Sequence, residues 1–355
     1  MLRTIFAILL ATVSLQAQDP GLETLRKQGH WKQLRPRIEG WYRAKPEDPY
    51  AQLWMSRLRQ AFADPEGALD LARKAAGARP GDPDIQAQLG FAAGQCAGQA
   101  EGKLKQFALA REMKKALETA LPARLDDENV QGYLLQFYLQ APGIVGGGSG
   151  KARELAQRVG QSQPAAGLLL QANIAFADRA LESARGFIQQ ALAKDAKSYD
   201  AHLAMANYHL SLKPQALDQA LGCYRQALSA RPDGMVAHAQ VAAILAEQGQ
   251  WAELDAALAQ ARKINPDNLW PFYAAGRNLI AEAKHLDHAE PLLRAYLAQE
   301  PEGNAPDRAA THWRLGQLLE KLGRKAEAVK ELEQALKLRS RFPQAQKDLE
   351  RLRKG

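Results

Sequence analysis

Proline recurs at a fixed distance in two separate parts of the chain. Pro46 and Pro80 are 34 residues apart, and Pro232 and Pro266 are separated by the same distance. A residue suited to packing between helices, such as Trp41, stands five positions before each of these prolines. Proline cannot continue a helix, so its recurrence marks the end of one helical unit and the turn into the next. A repeat of this length favours stacked supersecondary units.

Small and apolar residues recur with the same period in two segments of the sequence. In segment 309–342 these residues are Leu315, Gly316, Gly323, Ala328, Leu332 and Ala335, and in segment 235–268 they are Val241, Ala242, Gly249, Leu254, Leu258 and Ala261. This pattern resembles the tetratricopeptide repeat, in which two antiparallel helices carry small residues where they cross. One such pair cannot bury its apolar stripe alone, so the pairs stack to form one core.

The resemblance implies an all-α fold, a right-handed superhelical solenoid of about nine helical hairpins with a C-terminal capping helix. The solenoid occupies residues 18–342, and the polar segment 343–355 forms the capping helix and tail. We predict pairs near 18–48, 49–82, 83–127, 128–166, 167–198, 199–234, 235–268, 269–303 and 309–342. Two long turns are expected, one at 94–102 before a helix at 103–121 and one at 141–150.

The first seventeen residues have the pattern of a cleavable signal peptide. Arg3 precedes an apolar stretch at 5–15, which is too short to span a bilayer as a relaxed helix, and Ala17 offers a small residue for cleavage. An uncleaved anchor is the alternative. We therefore expect a periplasmic or secreted protein without stable membrane insertion after cleavage. The glycine-rich turn between two patterned helices also resembles exported bacterial repeat proteins of unassigned role.

The charge balance disfavours a nucleic-acid partner. The 47 Lys and Arg residues exceed the 39 Asp and Glu residues by only eight, and no block of like charges occurs. Cys96 and Cys223 fall about three repeats apart, beyond the roughly 7 Å Cα separation that a disulfide allows. We expect two small thiols in helices.

Residues 146–151 invite comparison with a phosphate-binding loop, but the match fails. Val145 stands where the first glycine is needed, and Ala152 replaces the hydroxyl that would bind magnesium. The preceding segment is helical by pattern, whereas a phosphate-binding loop follows a strand. We predict a flexible turn with a helix beginning at Ala152. The backbone N–H groups at that helix start could alternatively bind an anion or a partner carboxylate.

The histidines divide into a periodic set and a cluster. His202, His238 and His312 occupy the fourth position of their repeats, which predicts structural imidazoles packed between the two helices of each pair. His285 and His288, together with Glu282, lie near one turn. They could form a weak metal site, but their spacing matches no metal-binding motif, and a solvated turn is favoured. We predict no catalytic residue, no metal ligand and no cofactor.

The resemblance implies that the first helix of each pair lines a concave groove. Aromatic and arginine side chains are enriched at recognition surfaces, which favours a partner in that groove. The candidate partner-binding residues are Tyr50, Trp54, Arg57, Phe91, Tyr133, Gln136, Asn207, Gln240, Trp270, Tyr273, Arg277, Trp313 and Arg314, with Leu53, Leu203 and Gln317 beside them. Leu203 stands where repeat proteins that capture carboxyl termini have lysine, so an extended peptide with apolar anchors is the better fit.

The sequence thus predicts a non-catalytic adaptor in the bacterial cell envelope that binds a protein or peptide. One alternative is a scaffold for envelope assembly or export machinery. A second alternative, given less weight, is a hydrolase or metal-dependent enzyme that uses the glycine-rich turn or the pair His285 and His288.

Overall fold

The computed structural model describes residues 20–303 and 305–354, and all the regular secondary structure in this part of the chain is helical. The predicted signal peptide lies outside the described residues. The α-helices are α1 Pro20–Lys27, α2 Trp31–Ala44, α3 Pro49–Ala61, α4 Pro65–Ala78, α5 Pro83–Gln99, α6 Lys103–Ala120, α7 Glu128–Gln140, α8 Ser149–Ser162, α9 Pro164–Ala177, α10 Leu181–Lys194, α11 Tyr199–Ser211, α12 Leu217–Ala230, α13 Met235–Glu247, α14 Trp251–Ile264, α15 Trp270–Glu282, α16 Leu286–Leu297, α17 Arg308–Lys321, α18 Lys325–Leu338 and α19 Pro343–Lys354.

In the described part of the chain, consecutive helices form nine pairs, α1 with α2 through α17 with α18, and the single helix α19 follows them. The predicted all-α class and hairpin architecture are therefore confirmed. The chain divides into two compact units, of which the first ends at Lys194 and the second begins at Asp195. Within the described residues, no helix combines the length and hydrophobicity needed to span a bilayer.

Several helices, among them α3 and α5, start where the sequence provides a side-chain cap. Asp82 accepts hydrogen bonds from the backbone N–H groups of Asp84 and Ile85 at 3.0 and 3.2 Å, and Pro83 occupies the first position of α5. These bonds satisfy N–H groups that have no partner within the helix, and proline has no N–H to satisfy. Asp48 caps α3 in the same way.

Glycines allow the two helices of a pair to approach closely. A Cβ at Gly276 would lie 2.9 Å from Leu293 Cγ, and a Cβ at Gly316 would lie 2.7 Å from Leu332 Cγ. In both pairs the leucine belongs to the second helix and is fully buried. Because a Cβ would push this leucine away, the small residues predicted at helix crossings have a direct steric role.

The third pair differs from its prediction. Residues 94–102 were expected to form a long turn, but α5 continues through Gln99 and the turn is short. Cys96 and Ala97 are buried, and a Cβ at Gly94 would lie 2.7 Å from Met113 Sδ in α6. The small residues in this segment therefore permit close packing rather than a turn. The insertion lengthens both helices of the pair, to 17 and 18 residues.

The glycine-rich segment after α7 forms a compact turn. Gly143–Val145 is a 3₁₀ turn, Val145 is buried, and Gly148 N donates a 2.7 Å hydrogen bond to Tyr138 O. At Gly147 any Cβ would overlap the carbonyl oxygen of Ala141. The segment therefore requires glycine for a close backbone approach, which corrects the prediction of a flexible turn. Helix α8 begins at Ser149 instead of the predicted Ala152.

The fourth residue of five first helices bonds back to a carbonyl oxygen six positions earlier. The pairs are Gln52 with Pro46 at 2.8 Å, Gln86 with Pro80 at 2.8 Å, Gln131 with Leu125 at 2.6 Å, His202 with Ala196 at 3.0 Å and His238 with Pro232 at 2.8 Å. His202 and His238 are thus structural, but they hold the incoming turn rather than fill the space between two helices. His312 occupies the fifth position of α17, and its Nδ1 lies 2.6 Å from Glu331 Oε2 on α18.

Both cysteines are free and lie in helices. Cys96 is buried, and its Sγ lies 3.2 Å from Pro65 O, whereas Cys223 is half-buried. Burial raises the pKa of the Cys96 thiol to about 11. This thiol is therefore protonated and poorly reactive at neutral pH.

Candidate functional site

A cleft of about 590 Å³ lies in the second unit, where the first helices of the last two pairs meet the final helix. We call it the C-terminal cleft. It is lined by Ile280 and Ala281 of α15, Arg314, Gln317, Glu320 and Lys321 of α17, and Arg351 of α19. Two of the residues predicted for the concave groove, Arg314 and Gln317, therefore contribute to one cavity.

Helix α17 presents one side to the cleft and the other to the core. Arg314, Gln317 and Lys321 follow each other at spacings of three and four, which places them on one face. Leu315 and Leu319, on the opposite side of the helix, are fully buried. The amphipathic pattern of this helix therefore fixes which of its side chains reach the cleft.

Helix α19 forms a wall of the cleft and not only a cap. Asp348 Oδ2 accepts hydrogen bonds from Trp313 Nε1 at 2.8 Å and from Gln317 Nε2 at 3.3 Å. Arg351 pairs with Glu320 through its two terminal nitrogens, Nη1 and Nη2, the latter at 2.8 Å, and with Asp348 at 3.2 Å. Sequence reasoning missed Arg351, although the spacing of Asp348 and Arg351 places both on one face of a helix.

The positive charges in the cleft are unequally compensated. The carboxylates of Glu320 and Asp348 neutralise Arg351, and the hydrogen bond from Arg351 lowers the pKa of Glu320. Arg314 has no carboxylate partner among the described residues. Its Nη1 donates to Gln317 Oε1 at 2.8 Å, its guanidinium lies 4.2 Å from the ring centroid of Trp313, and its Nε is buried without a partner.

Two further cations, one in the cleft and one at its rim, are exposed to solvent. Lys321 lines the cleft and forms no ion pair within the described part of the chain. Arg277, a predicted site residue, lies on α15 four residues before Ala281 and therefore on the same face. It too is exposed and has no ion pair among the described residues. The four cations of the cleft and its rim, Arg277, Arg314, Lys321 and Arg351, thus outnumber by two the two carboxylates there, Glu320 and Asp348.

Two predicted site residues are buried, contrary to the expectation that they face solvent. The side chain of Trp54 is 2% exposed and belongs to a cluster with Leu34 and Ile38. Tyr273 is 5% exposed, and its ring centroid lies 5.4 Å from that of Tyr296. Both rings fill space between helices, so they offer little surface to a partner.

Arg57 and Tyr50 in the first unit are engaged by neighbouring charges. The Arg57 side chain is 14% exposed and lies 3.7 Å from carboxylate oxygens of both Glu23 and Asp84. Burial, together with the nearby arginines Arg26 and Arg124, lowers the pKa of Arg57 to about 10. Tyr50 donates a 2.7 Å hydrogen bond to Asp82. These residues connect successive pairs and therefore have structural roles.

The remaining predicted residues keep some exposure but are dispersed. Phe91 and Tyr133 are half-buried and pack together, with ring centroids 5.1 Å apart. Asn207 is exposed, yet its Oδ1 accepts a 2.9 Å hydrogen bond from the hydroxyl of Tyr224. Gln136 is exposed, and Gln240, Trp270 and Trp313 are half-buried. That these residues contact a partner stays a prediction.

The two histidines considered as metal ligands contact an aromatic ring instead. The imidazole of His288 stacks on Trp251 at 3.8 Å with an interplanar angle of 7°, and His285 meets the same ring edge-on at 5.2 Å. In residues 20–303 and 305–354 no group of three or more His, Cys, Asp or Glu side chains is arranged to hold a metal ion.

Comparison with known proteins identifies the repeat. Residues 309–342, which include all the cleft-lining residues of α17 and the whole of α18, match the family described as tetratricopeptide repeat. No curated protein sequence is significantly similar to this chain.

Solved structures resemble the chain in fold. The human IFIT1 dimer with m7Gppp-AAAA matches with a TM-score of 0.50 and 16% identity, over 86% of this chain and 72% of that chain. Yeast Tom70 matches with a TM-score of 0.48 and 13% identity, over 96% and 88%. YrrB, a TPR protein with an unusual peptide-binding site, matches with a TM-score of 0.34 and 19% identity, over 54% and 96%. At these identities the likeness concerns the fold alone.

Proposed function

We propose that this chain is a tetratricopeptide-repeat protein and that it works as a non-catalytic adaptor, which holds a protein or peptide on the face formed by the first helices of its pairs. Proteins with this fold generally serve as protein-binding scaffolds. The observation that carries the proposal is the C-terminal cleft, in which Arg314 and Lys321 stand on a first helix without a carboxylate partner among the described residues.

The chemistry of the cleft supports binding rather than catalysis. A general acid or base works best with a pKa near the working pH. The one carboxylate that lines the cleft, Glu320, is bound by Arg351, and its pKa is lowered. It therefore stays ionised at neutral pH. The remaining polar side chains, which are arginine, lysine and glutamine, suit the recognition of negative or polar groups.

We also propose that the adaptor works in the periplasm or outside the cell. The support is the pattern of the first seventeen residues, in which a basic residue, a short apolar stretch and a small residue follow in the order of a signal peptide. Fusion of residues 1–19 to a reporter enzyme that is active only after export tests this directly. We expect activity outside the cytoplasm, and a reporter retained in the cytoplasm would contradict the proposed location.

Affinity purification from the envelope fraction, with a tag at the C-terminus of the full chain, tests the binding function. We expect one protein partner at a stoichiometric level, identified by mass spectrometry. A Lys321→Glu variant should recover less of it, whereas Lys337→Glu, which makes the same charge change on α18, should recover as much as the wild type. Recovery of no partner, together with metal in the purified protein, would contradict the adaptor and favour an enzyme.

A further inference from the structure

We infer that the C-terminal cleft binds an extended acidic peptide segment with two carboxylates spaced three residues apart. This inference rests on the proposed function and names the chemistry of the ligand. It follows from three features of the cleft, which are the cations without a carboxylate partner, the distance between them, and the groups that surround them.

The first feature is the compensation of charge. Arg314 donates only to a neutral amide oxygen of Gln317, and its Nε is buried with no acceptor. Lys321 is exposed and forms no ion pair with any described residue. The half-buried Arg314 binds a carboxylate more strongly than a fully solvated cation does, because the local dielectric is lower and the guanidinium can form directed hydrogen bonds, and the exposed Lys321 adds a second positive charge. Carboxylates are therefore the ligand groups that these two positions favour.

The second feature is spacing. Arg314 and Lys321 are seven residues apart on one helix, which corresponds to about 10.5 Å along its axis. An extended peptide of the polyproline II type has three residues per turn and a rise of about 3.1 Å, so side chains at i and i+3 share a face and lie about 9 Å apart. In a β-strand, same-face neighbours lie about 7 or 13 Å apart, which fits less well. The spacing of the two cations along α17 therefore fits a peptide whose acidic residues stand at positions i and i+3.

The third feature is the surroundings. Glu320 lines the cleft and Asp348 borders it, and both pair with Arg351, so the three cations Arg314, Lys321 and Arg351 exceed the two carboxylates by one. This small excess suits a peptide with isolated acids better than the continuous negative charge of a nucleic-acid backbone. The guanidinium of Arg314 lies over the ring of Trp313, which leaves that face of the ring unavailable for stacking a base. Ala281 lines the cleft with a small apolar side chain. A peptide with isolated acids satisfies these conditions better than RNA or DNA does.

Selection from a random dodecapeptide display library on the immobilised full chain tests the inference. We expect the enriched peptides to carry Asp or Glu at positions i and i+3. A labelled synthetic peptide of the enriched sequence should bind at least about tenfold more weakly after both acids are changed to Asn or Gln, and its affinity should fall as salt is raised. Enrichment of peptides without paired acids would overturn the inference, as would no enrichment.

Variants locate the binding. Lys321→Gln should weaken the selected peptide about fivefold, and Lys321→Glu should weaken it by more than tenfold. Because Lys321 is exposed, neither change should alter the far-UV circular dichroism or the melting temperature. Arg314→Gln provides a second test of the same site, and Lys337→Gln is the matched control, with wild-type affinity expected. Unchanged affinity in folded Lys321→Glu protein would overturn the inference.

Two further outcomes separate this inference from the adaptor function. A partner from the envelope fraction that Lys321→Glu retains in full would leave the adaptor standing and remove the cleft from its binding site. Library selection of paired acids by a chain that captures no cellular partner would support the cleft chemistry and contradict the adaptor. Displacement of the selected peptide by a single-stranded RNA dodecamer at lower concentration than by the unlabelled peptide would assign the cleft to nucleic acid and overturn the inference.

Discussion

Replacing Gly167 with alanine should destabilise the protein, although alanine is a better helix former than glycine. Gly167 lies in α9 where that helix crosses α8. A Cβ at this position would overlap Gly160 Cα and would lie 2.8 Å from Gly160 N and 2.9 Å from Ala156 O. These are backbone atoms of α8, so no side-chain rotation can relieve the clash. One of the two helices must move.

The expected size follows from two opposing terms. Overpacking a well-packed contact costs about 1–3 kcal/mol, and the upper end applies here because backbone must shift. Alanine in a helix interior returns about 1 kcal/mol relative to glycine. The net loss is therefore about 2 kcal/mol. Gly160→Ala is the matched control, because the nearest atom to a Cβ there is Gly167 Cα at an ordinary contact distance of 3.7 Å. It should stabilise the protein by about 0.5–1 kcal/mol.

Urea and thermal unfolding, followed by far-UV circular dichroism, measure both variants. For a unit of this size, a loss of about 2 kcal/mol lowers the melting temperature by about 4–8 °C. The two glycines face each other across one helix crossing, yet the account predicts opposite signs. Gly167→Ala protein as stable as the wild type, or the same sign for both variants, would refute the steric argument.

Three further predictions concern bonds and titrating groups. Gln86→Ala should lower the free energy of unfolding by about 1 kcal/mol, because it removes the hydrogen bond to Pro80 O. Gln86→His should lower it by less, since histidine makes the same bond in other pairs. The midpoints of urea unfolding check both variants. The pKa of Glu320 is lowered from 4.5 by the Arg351 hydrogen bond, so its contribution to stability is present above pH 4.5 and lost as pH falls through the folded pKa. Glu320→Gln should flatten this acid limb of the pH–stability curve, and an unchanged limb would contradict the pairing. Burial raises the pKa of Cys96 to about 11, so at pH 8 a thiol reagent should label Cys96 far more slowly in folded than in denatured protein, as mass spectrometry of the labelled peptide can measure.

The helical hairpins could be predicted from sequence because their signals are local and repeated. The prolines that begin or precede helices and the small residues at crossings recur with the period, so each pair supports the assignment of the next. The third pair was predicted wrongly because Gly94 and its neighbours have the composition of a turn. Only the position of Met113 on the facing helix shows that the small residue is needed for packing.

The site was less predictable, because the position of a residue in a helix indicates which way its side chain points but not how deeply the neighbouring helices bury it. Trp54 and Tyr273 were assigned to the first-helix surface by their positions, yet neighbouring helices approach closely enough to bury both rings. Arg351 belongs to a polar helix whose sequence does not show which side it turns toward α17. The bonds from Asp348 to Trp313 and Gln317 determine that orientation, and they join residues far apart in the sequence.

Site-specific photocrosslinking tests the central claim most directly, namely that a partner is held by first helices at the C-terminal cleft. A benzophenone amino acid placed at Ala281, an exposed residue of the cleft, is compared with the same amino acid placed at Lys337 on α18. We predict that irradiation in intact cells joins a protein partner to the chain at Ala281 but not at Lys337. Crosslinking at Lys337 alone, or equally at both positions, would contradict the account.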